Sequence, residues 1–553
     1  MVKSLVTEEN ILTVKRRLTS ASGWRLPETP GTLAPPGVAS NKDQDPIPEH
    51  DQTWTTWDFS TYWMSDLINV TSWQVASSAM LVGLSTSDAI IITMLSGVLN
   101  AIPTVLNGDA GAKYHIPFPI LVRSSYGYYF SYFAVVSRAI LGVTWFGVNC
   151  WVGSTAVTET LGAVWPEYKT IENRLSPSSP VTTLQMVSYF LFFIIQLPFF
   201  MIPLRKLKTL FFWKAILLLP VSVGMVIWIC VKAGDVKGIF LQPAKVTGST
   251  RVWLWLSTFS AITDSWVSSV VNMSDFSRFA KSRRAPYSQL PTIPILKTLY
   301  AILGIATVGA GRVLYDKDIW SPIELLPLWT GSGGRFLAFC CGCLWIMAQI
   351  SCNISANAVP FGHDVMNLAP AWINVNRGSA ICLLLGAWAV CPWYLVSSAK
   401  QFLIFMNGYG CFICAMGTIM MTDYFLIQHK RLDVPSLYDP NGRYKFKAGI
   451  NWRAAVVQFG FMALFVPGII HNINPSIHIG SALERIYSLN WIINTFGPVI
   501  VYWLISAVFP DRASRVSKGE AILAGQDGRA GDEESSLGSG GGGSQGADSE
   551  KRQ

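Results

Sequence analysis

Long apolar runs alternate with short polar stretches from about residue 60 to residue 509. A hydrocarbon core of about 30 Å needs roughly 20 apolar residues in a helix. That length predicts twelve spans, near 60–82, 87–107, 130–160, 184–203, 210–232, 252–274, 294–314, 335–360, 379–397, 400–427, 453–470 and 486–509. The chain therefore reads as an all-α polytopic membrane protein. Its helical body is expected over 59–510, between a polar, Pro- and Thr-rich tail, 1–58, and a polar tail, 511–553, that becomes acidic and Gly/Ser-rich. The first tail lacks the apolar core of a cleavable signal. Span 1 is thus expected to insert itself and leave the N-terminus in the cytosol, and an even number of spans returns the C-terminus there. The second tail is expected to be disordered.

Loop charges fix the orientation, because cytosolic loops are rich in Lys and Arg. The N-terminal tail holds Lys3, Lys15, Arg16, Arg17, Arg25 and Lys42. The loop after span 4 holds Arg205, Lys206 and Lys208, and the loop after span 6 holds Arg278, Lys281, Arg283 and Arg284. Lys430, Arg431, Arg443, Lys445 and Lys447 follow span 10. All fall on the side assigned to the cytosol. The loop at 233–251 carries three basic residues, Lys237, Lys245 and Arg251, against this trend.

Composition narrows the class. Charged residues make up 14% of the chain, against about 25% in soluble domains. That is too few to coat the surface of a soluble protein of 553 residues. The net charge of +9 lies in the loop clusters, so it reads as topology and not as a nucleic-acid surface. The ten cysteines sit within or at the edge of apolar runs, which argues against a disulfide framework.

Polar groups inside a span cost free energy, so they are functional candidates. Span 1 carries Asp66, Asn69 and Gln74, with a helix-weakening Asn-Val-Thr-Ser run starting at Asn69. In span 3, Trp145 and Asn149 are four residues apart and share a helix face. An indole beside an amide suits a flat polar heterocycle, since the ring stacks and the amide reads its edge. Span 6 carries Asp264, Ser265 and Trp266, and span 8 carries Asn353 and Asn357 on one face, continued by Gln349. Ser, Thr, Asn and Gln also bond helix to helix in membranes, for about 0.6–2 kcal/mol each, and for any single Ser that reading holds. The set reads differently. Polar breaks in spans 1 and 6 lie at corresponding positions of two five-span halves, the sequence signature of a transporter site.

With these residues the chain resembles the nucleobase–cation symporter-1 family, in particular its fungal uracil/allantoin/uridine-type branch, over roughly residues 50–510. The carrying motifs are Trp145-Phe-Gly-Val-Asn149, the run Asn272 to Ala280, Asn353-Ile-Ser-Ala-Asn357, and Asp423-Tyr-Phe. The resemblance implies a LeuT-type fold. Its 5+5 inverted repeat would cover about 60–232 and 252–427, with two extra helices over 453–509. It implies uptake of a small heterocycle at the plasma membrane with a cation, by alternating access. The substrate ring would lie between Trp145 and Trp266, beside Ser265. Asn149 stands where Gln is usual, Asn357 matches the span 8 amide that reads the substrate, with Asn353 one turn before it, and Gln74 matches the span 1 amide. In sodium-coupled members the cation site uses span 1 carbonyls and span 8 positions that match Ala348, Ser351 and Cys352. A thiol at Cys352, where a hydroxyl is expected, is a poor ligand for a hard cation, which points to H+ and away from Na+. Asp66 matches an acidic position of the branch, with a role in gating or coupling. Three roles stay open for Asp264: the coupling proton, pairing with a cationic substrate such as thiamine or nicotinamide riboside, or local hydrogen bonding.

No resident cofactor or metal is expected. The six histidines are scattered, and the sequence contains neither HExxH nor a P-loop, so an enzyme or an ATP-driven pump is not indicated. A non-transporting nutrient sensor on the same fold is the remaining alternative.

Overall fold

The structure, a computed structural model, describes residues 20–27, 32–200 and 204–517. Lys3, Lys15, Arg16 and Arg17, the side chains of Arg205, Lys206 and Lys208, and the tail beyond residue 517 lie outside the described residues.

Span 1 folds as two helices, α1 (Thr56–Leu67) and α2 (Val70–Leu81). Asn69 makes the break. Its backbone is extended at φ −151°, ψ 168°, its side-chain oxygen accepts from the Ser72 amide at 2.7 Å, and its Nδ2 donates to the Asp66 carbonyl at 2.6 Å. A side chain that satisfies backbone groups on both flanks lets the helix stop and restart. Four uninterrupted helices follow: α3 (Thr86–Tyr114), α4 (Ser131–Val164), α5 (Thr183–Phe200) and α6 (Leu204–Ala233). Span 6 is again two pieces, α7 (Gly248–Asp264) and α8 (Val267–Val271), parted at Ser265 and Trp266. After α9 (Gln289–Tyr315), span 8 comprises α10 (Gly331–Cys352), a wide turn at Asn353–Ala358 and α11 (Val359–Leu368). Wide turns of this kind inside helices concentrate at functional sites. The chain ends with α12 (Val375–Trp388), α13 (Ala399–Thr422), α14 (Trp452–Ile473), α15 (Ser481–Ser488) and α16 (Asn490–Val508).

Among the described residues, nine helices are long and apolar enough to cross a membrane. Length and hydropathy alone thus support nine of the twelve expected spans. Spans 1 and 6 fall short because they are broken. Span 9 ends at Trp388, not near 397, because Cys391 takes a positive φ of 45° and Pro392 follows, and a proline restricts the residue before it.

The most extensive packing pairs α3 with α9 and α4 with α10. Each pair joins a span to the one five places later, as an inverted repeat requires. The polarity of α3 runs inside out. Ile91, Met94, Leu95, Val98 and Ile102 are exposed, whereas Thr93, Ser96, Asn100, Thr104 and Asn107 are buried. Apolar residues outward and polar residues against neighbouring helices are what a lipid solvent selects. This is a multi-pass membrane protein.

Parts of both tails belong to the body. Gln44 is buried, donates to Asn367 Oδ1 at 3.2 Å and accepts at its carbonyl from Tyr438 OH at 2.7 Å. At the other end Asp511 lies 3.4 Å from Arg453, and Arg443 donates to the Arg515 carbonyl at 2.6 Å. Ser514 and Val516 are buried. Residues 511–517 therefore pack on the helices, although the polar sequence there reads as disordered.

Candidate substrate site

The two helix breaks meet in one cavity. The start of α2 contributes Asn69, Thr71, Ser72 and Val75, and the break of span 6 contributes Ser265, Trp266, Ser268 and Ser269. Helix α4 supplies Trp145 and Asn149, and span 8 supplies Cys352, Ala356 and Asn357. The cavity is narrow, about 60 Å3. Trp145 packs against Phe402, Phe405 and Tyr409 of α13, with centroids 5.9, 5.4 and 6.0 Å away. Trp266 meets Trp63 of α1 edge-on at 5.6 Å. Each indole is braced by neighbours, which fixes the ring for stacking.

The amides have defined orientations. Asn149 Oδ1 accepts from Thr71 Oγ1 at 2.7 Å and from Gln349 Nε2 at 3.2 Å. Its Nδ2 meets only the weak acceptor Cys352 Sγ, at 3.8 Å, so this donor is available to the cavity. Asn357 is the complement. Its Nδ2 donates to Asn353 Oδ1 at 3.2 Å, which leaves its Oδ1 as an acceptor. These orientations follow from the surrounding network. One free donor and one free acceptor match the adjacent C=O and N–H of a lactam ring.

The remaining expected residues are distributed around this centre. Asn353 lies outside the cavity. It donates to Cys150 Sγ at 3.3 Å and Gln196 Oε1 at 3.4 Å, and it orients Asn357. Gln74 is buried on α2 with an unpartnered Oε1 and does not line the cavity. Its place beside the break is taken by Gln349, which accepts from the Val70 amide at 3.3 Å. Ser351 is buried with its hydroxyl unpartnered, and its carbonyl accepts from Ser355 Oγ at 3.0 Å.

Asp66 and Asp264 both face away from the cavity. Asp66 Oδ1 accepts from Ser355 Oγ at 2.9 Å, and its Oδ2 is buried without a partner. Asp264 Oδ2 accepts from Asn490 Nδ2 of α16 at 2.8 Å, and a Cβ on Gly410 of α13 would collide with its carboxylate. An Asp264→Asn variant is therefore expected to keep the KM for the transported heterocycle within threefold of wild type. Its melting temperature should fall first. Saturation uptake beside a thermal melt of the purified protein separates the two effects.

Two buried lysines escape the sequence reading. Lys214 of α6 donates to the Ser65 carbonyl at 2.5 Å and interacts electrostatically with Asp66 and Cys352. Lys297 of α9 donates to Ser96 Oγ at 2.5 Å and to the Ile262 carbonyl at 3.4 Å. Both lie in apolar runs, so the rule that singled out Asp66 and Asp264, an ionisable group inside a span, also finds them.

Two broken helices from inverted halves, meeting at aromatic rings and oriented amides, define a secondary transporter. Known proteins agree. Residues 46–494 match the family model described as permease for cytosine/purines, uracil, thiamine, allantoin. The chain is 30% identical to the nicotinamide riboside transporter 1 of Saccharomyces cerevisiae, over 85% of this chain and 79% of that one. It is 29% identical to the allantoin permease of the same yeast, over 85% of this chain and 76% of that one. The inward-facing structure of Mhp1 superposes with a TM-score of 0.69 at 17% identity, over 89% of this chain and 99% of Mhp1. The chain belongs to this permease family, the nucleobase–cation symporters, and is a transporter and not an enzyme.

Proposed function

We propose that this permease takes up a nucleobase or related lactam heterocycle, such as uracil or allantoin, together with a proton, by alternating access. We place it in the plasma membrane with both termini cytosolic, the orientation that the loop charges favour. The observation that carries the substrate reading is the donor of Asn149 facing the acceptor of Asn357, beside Trp145 and Trp266. The relative that carries allantoin in its name supports it. A cationic substrate such as thiamine or nicotinamide riboside finds less support, because both carboxylates near the site are directed elsewhere.

The coupling reading rests on Lys214. Its ammonium bonds a span 1 carbonyl next to span 8, where the family resemblance puts the cation of sodium-coupled members. A second cation there would meet a charge already in place, and Cys352 would serve it poorly. Asp66 Oδ2 is the open protonation site. A proton bound there cancels the attraction between Asp66 and Lys214 and weakens the link between α1 and α6. Release of the proton to the cytosol restores it.

Uptake competition in a transport-null host tests the function with uracil, allantoin, uric acid, uridine, thiamine and nicotinamide riboside. Lactam heterocycles are expected to compete at least tenfold better than thiamine. Accumulation above the external concentration, abolished by a protonophore and unchanged when sodium is replaced by choline, is expected of a proton symporter. A ligand that binds and never accumulates marks a sensor instead.

A further inference from the structure

Lys297 is 6% exposed, and among the described residues no carboxylate lies within 4 Å of it. Its two acceptors, Ser96 Oγ and the Ile262 carbonyl, account for two of its three N–H donors. It borders a gap of about 10 Å3 that shares Ser72, Val75 and Trp266 with the substrate cavity. A space of that size accepts one oxygen-sized group. The Ser72 hydroxyl, on the wall common to both spaces, is buried and has no partner. An ammonium and a hydroxyl thus adjoin a slot for one oxygen, directly behind an indole of the heterocycle site. Asp66 and Asp264, the nearby carboxylates of spans 1 and 6, are directed to Ser355 and to Asn490. The ionisable side chain bordering the gap is therefore the amine of Lys297.

We propose that Lys297 and Ser72 form an oxyanion subsite contiguous with the heterocycle cavity, and that this permease favours heterocycles bearing a negatively charged oxygen over their neutral counterparts. This rests on the reading of the cavity as the heterocycle site. It narrows the substrate class within it. The charged oxygen enters the slot beside Trp266 and accepts from the Lys297 ammonium and the Ser72 hydroxyl. The rest of the ring lies against Trp145 and is read by Asn149 and Asn357. A charge-assisted hydrogen bond is roughly twice as strong as a neutral one, and in a site removed from water its loss is felt in full.

The experiment uses matched pairs on the purified full-length protein, with dissociation constants taken from thermal-stability titrations. The pairs are uracil with barbiturate, the 6-oxyuracil anion that adds a single charged oxygen, and uracil with uracil-6-carboxylate. Wild type is expected to bind the acidic member of at least one pair at least tenfold more tightly. In Lys297→Met that ratio should fall at least tenfold, and in Lys297→Arg it should be largely kept. Equal affinities within both pairs in wild type, a result that needs no variant, overturn the proposal. So does an unchanged ratio in Lys297→Met, which would leave Lys297 as a prop for the Ile262 carbonyl. If neutral and acidic heterocycles all fail to bind, the cavity assignment itself falls. If only the neutral ones bind, the cavity stands and the oxyanion subsite falls.

Discussion

A Lys214→Met variant is expected to reach the membrane, to equilibrate substrate, and to lose concentrative uptake. A proton coupled one-to-one across a gradient of one pH unit supports about tenfold accumulation, since one pH unit is worth about 1.4 kcal/mol. In the variant the ratio of internal to external substrate should fall to about one, and the rate should no longer rise as external pH falls. The physical reason is local. Lys214 joins α6 to the Ser65 carbonyl at the end of α1 and senses Asp66. Methionine keeps most of the length and removes the charge, so protonation of Asp66 no longer has an attraction to cancel. Labelled uptake at two external pH values, normalised to surface protein, checks this. Retention of tenfold, pH-dependent accumulation would falsify the coupling assignment. Asp66→Asn provides a second route to the same answer, because it holds the carboxylate position permanently neutral and should lose the same pH response.

Trp145→Ala is expected to raise the KM for the transported heterocycle by 10- to 100-fold while leaving the protein at the surface. Stacking of a base on an aromatic side chain contributes about 1–3 kcal/mol, and alanine removes the whole face. Trp145 is partly exposed to the cavity and is held by Phe402, Phe405 and Tyr409. The substitution therefore costs affinity more than folding. Trp145→Phe should recover much of the loss, because a smaller ring can still stack. Wild-type KM in the alanine variant would remove Trp145 from the site.

Much of this site can be read from the sequence, for a physical reason. In lipid a polar side chain is expensive wherever it sits, so Trp145-Phe-Gly-Val-Asn149, Asn353-Ile-Ser-Ala-Asn357 and the polar run after Asp66 stand out against their apolar surroundings. Helical periodicity then places Trp145 beside Asn149. The same reasoning passed over Lys214 and Lys297. Basic residues read as markers of cytosolic loops, and these two lie inside apolar runs. Orientation was also out of reach. Asp264 and Ser265 are neighbours in sequence, yet the break between α7 and α8 turns Ser265 to the cavity and Asp264 to Asn490. Asn353 and Asn357 share a helix face in an ideal helix. They stay in contact across the wide turn at Asn353–Ala358, where Asn357 Nδ2 donates to Asn353 Oδ1, yet Asn357 lines the cavity while Asn353 lies against Cys150 and Gln196.

The sequence by itself determined a helical membrane protein, its breaks at spans 1 and 6, and the residue types of the candidate heterocycle site, because hydropathy and helix-breaking chemistry are local. Tertiary structure decided which of those residues face the cavity, how Asn149 and Asn357 orient their amides, and that an ammonium occupies the junction of spans 1, 5 and 8. Those outcomes depend on which hydrogen-bond partner each polar group finds on another helix, and partners as distant as Ser65 from Lys214 or Asp264 from Asn490 are brought together only by the packed bundle.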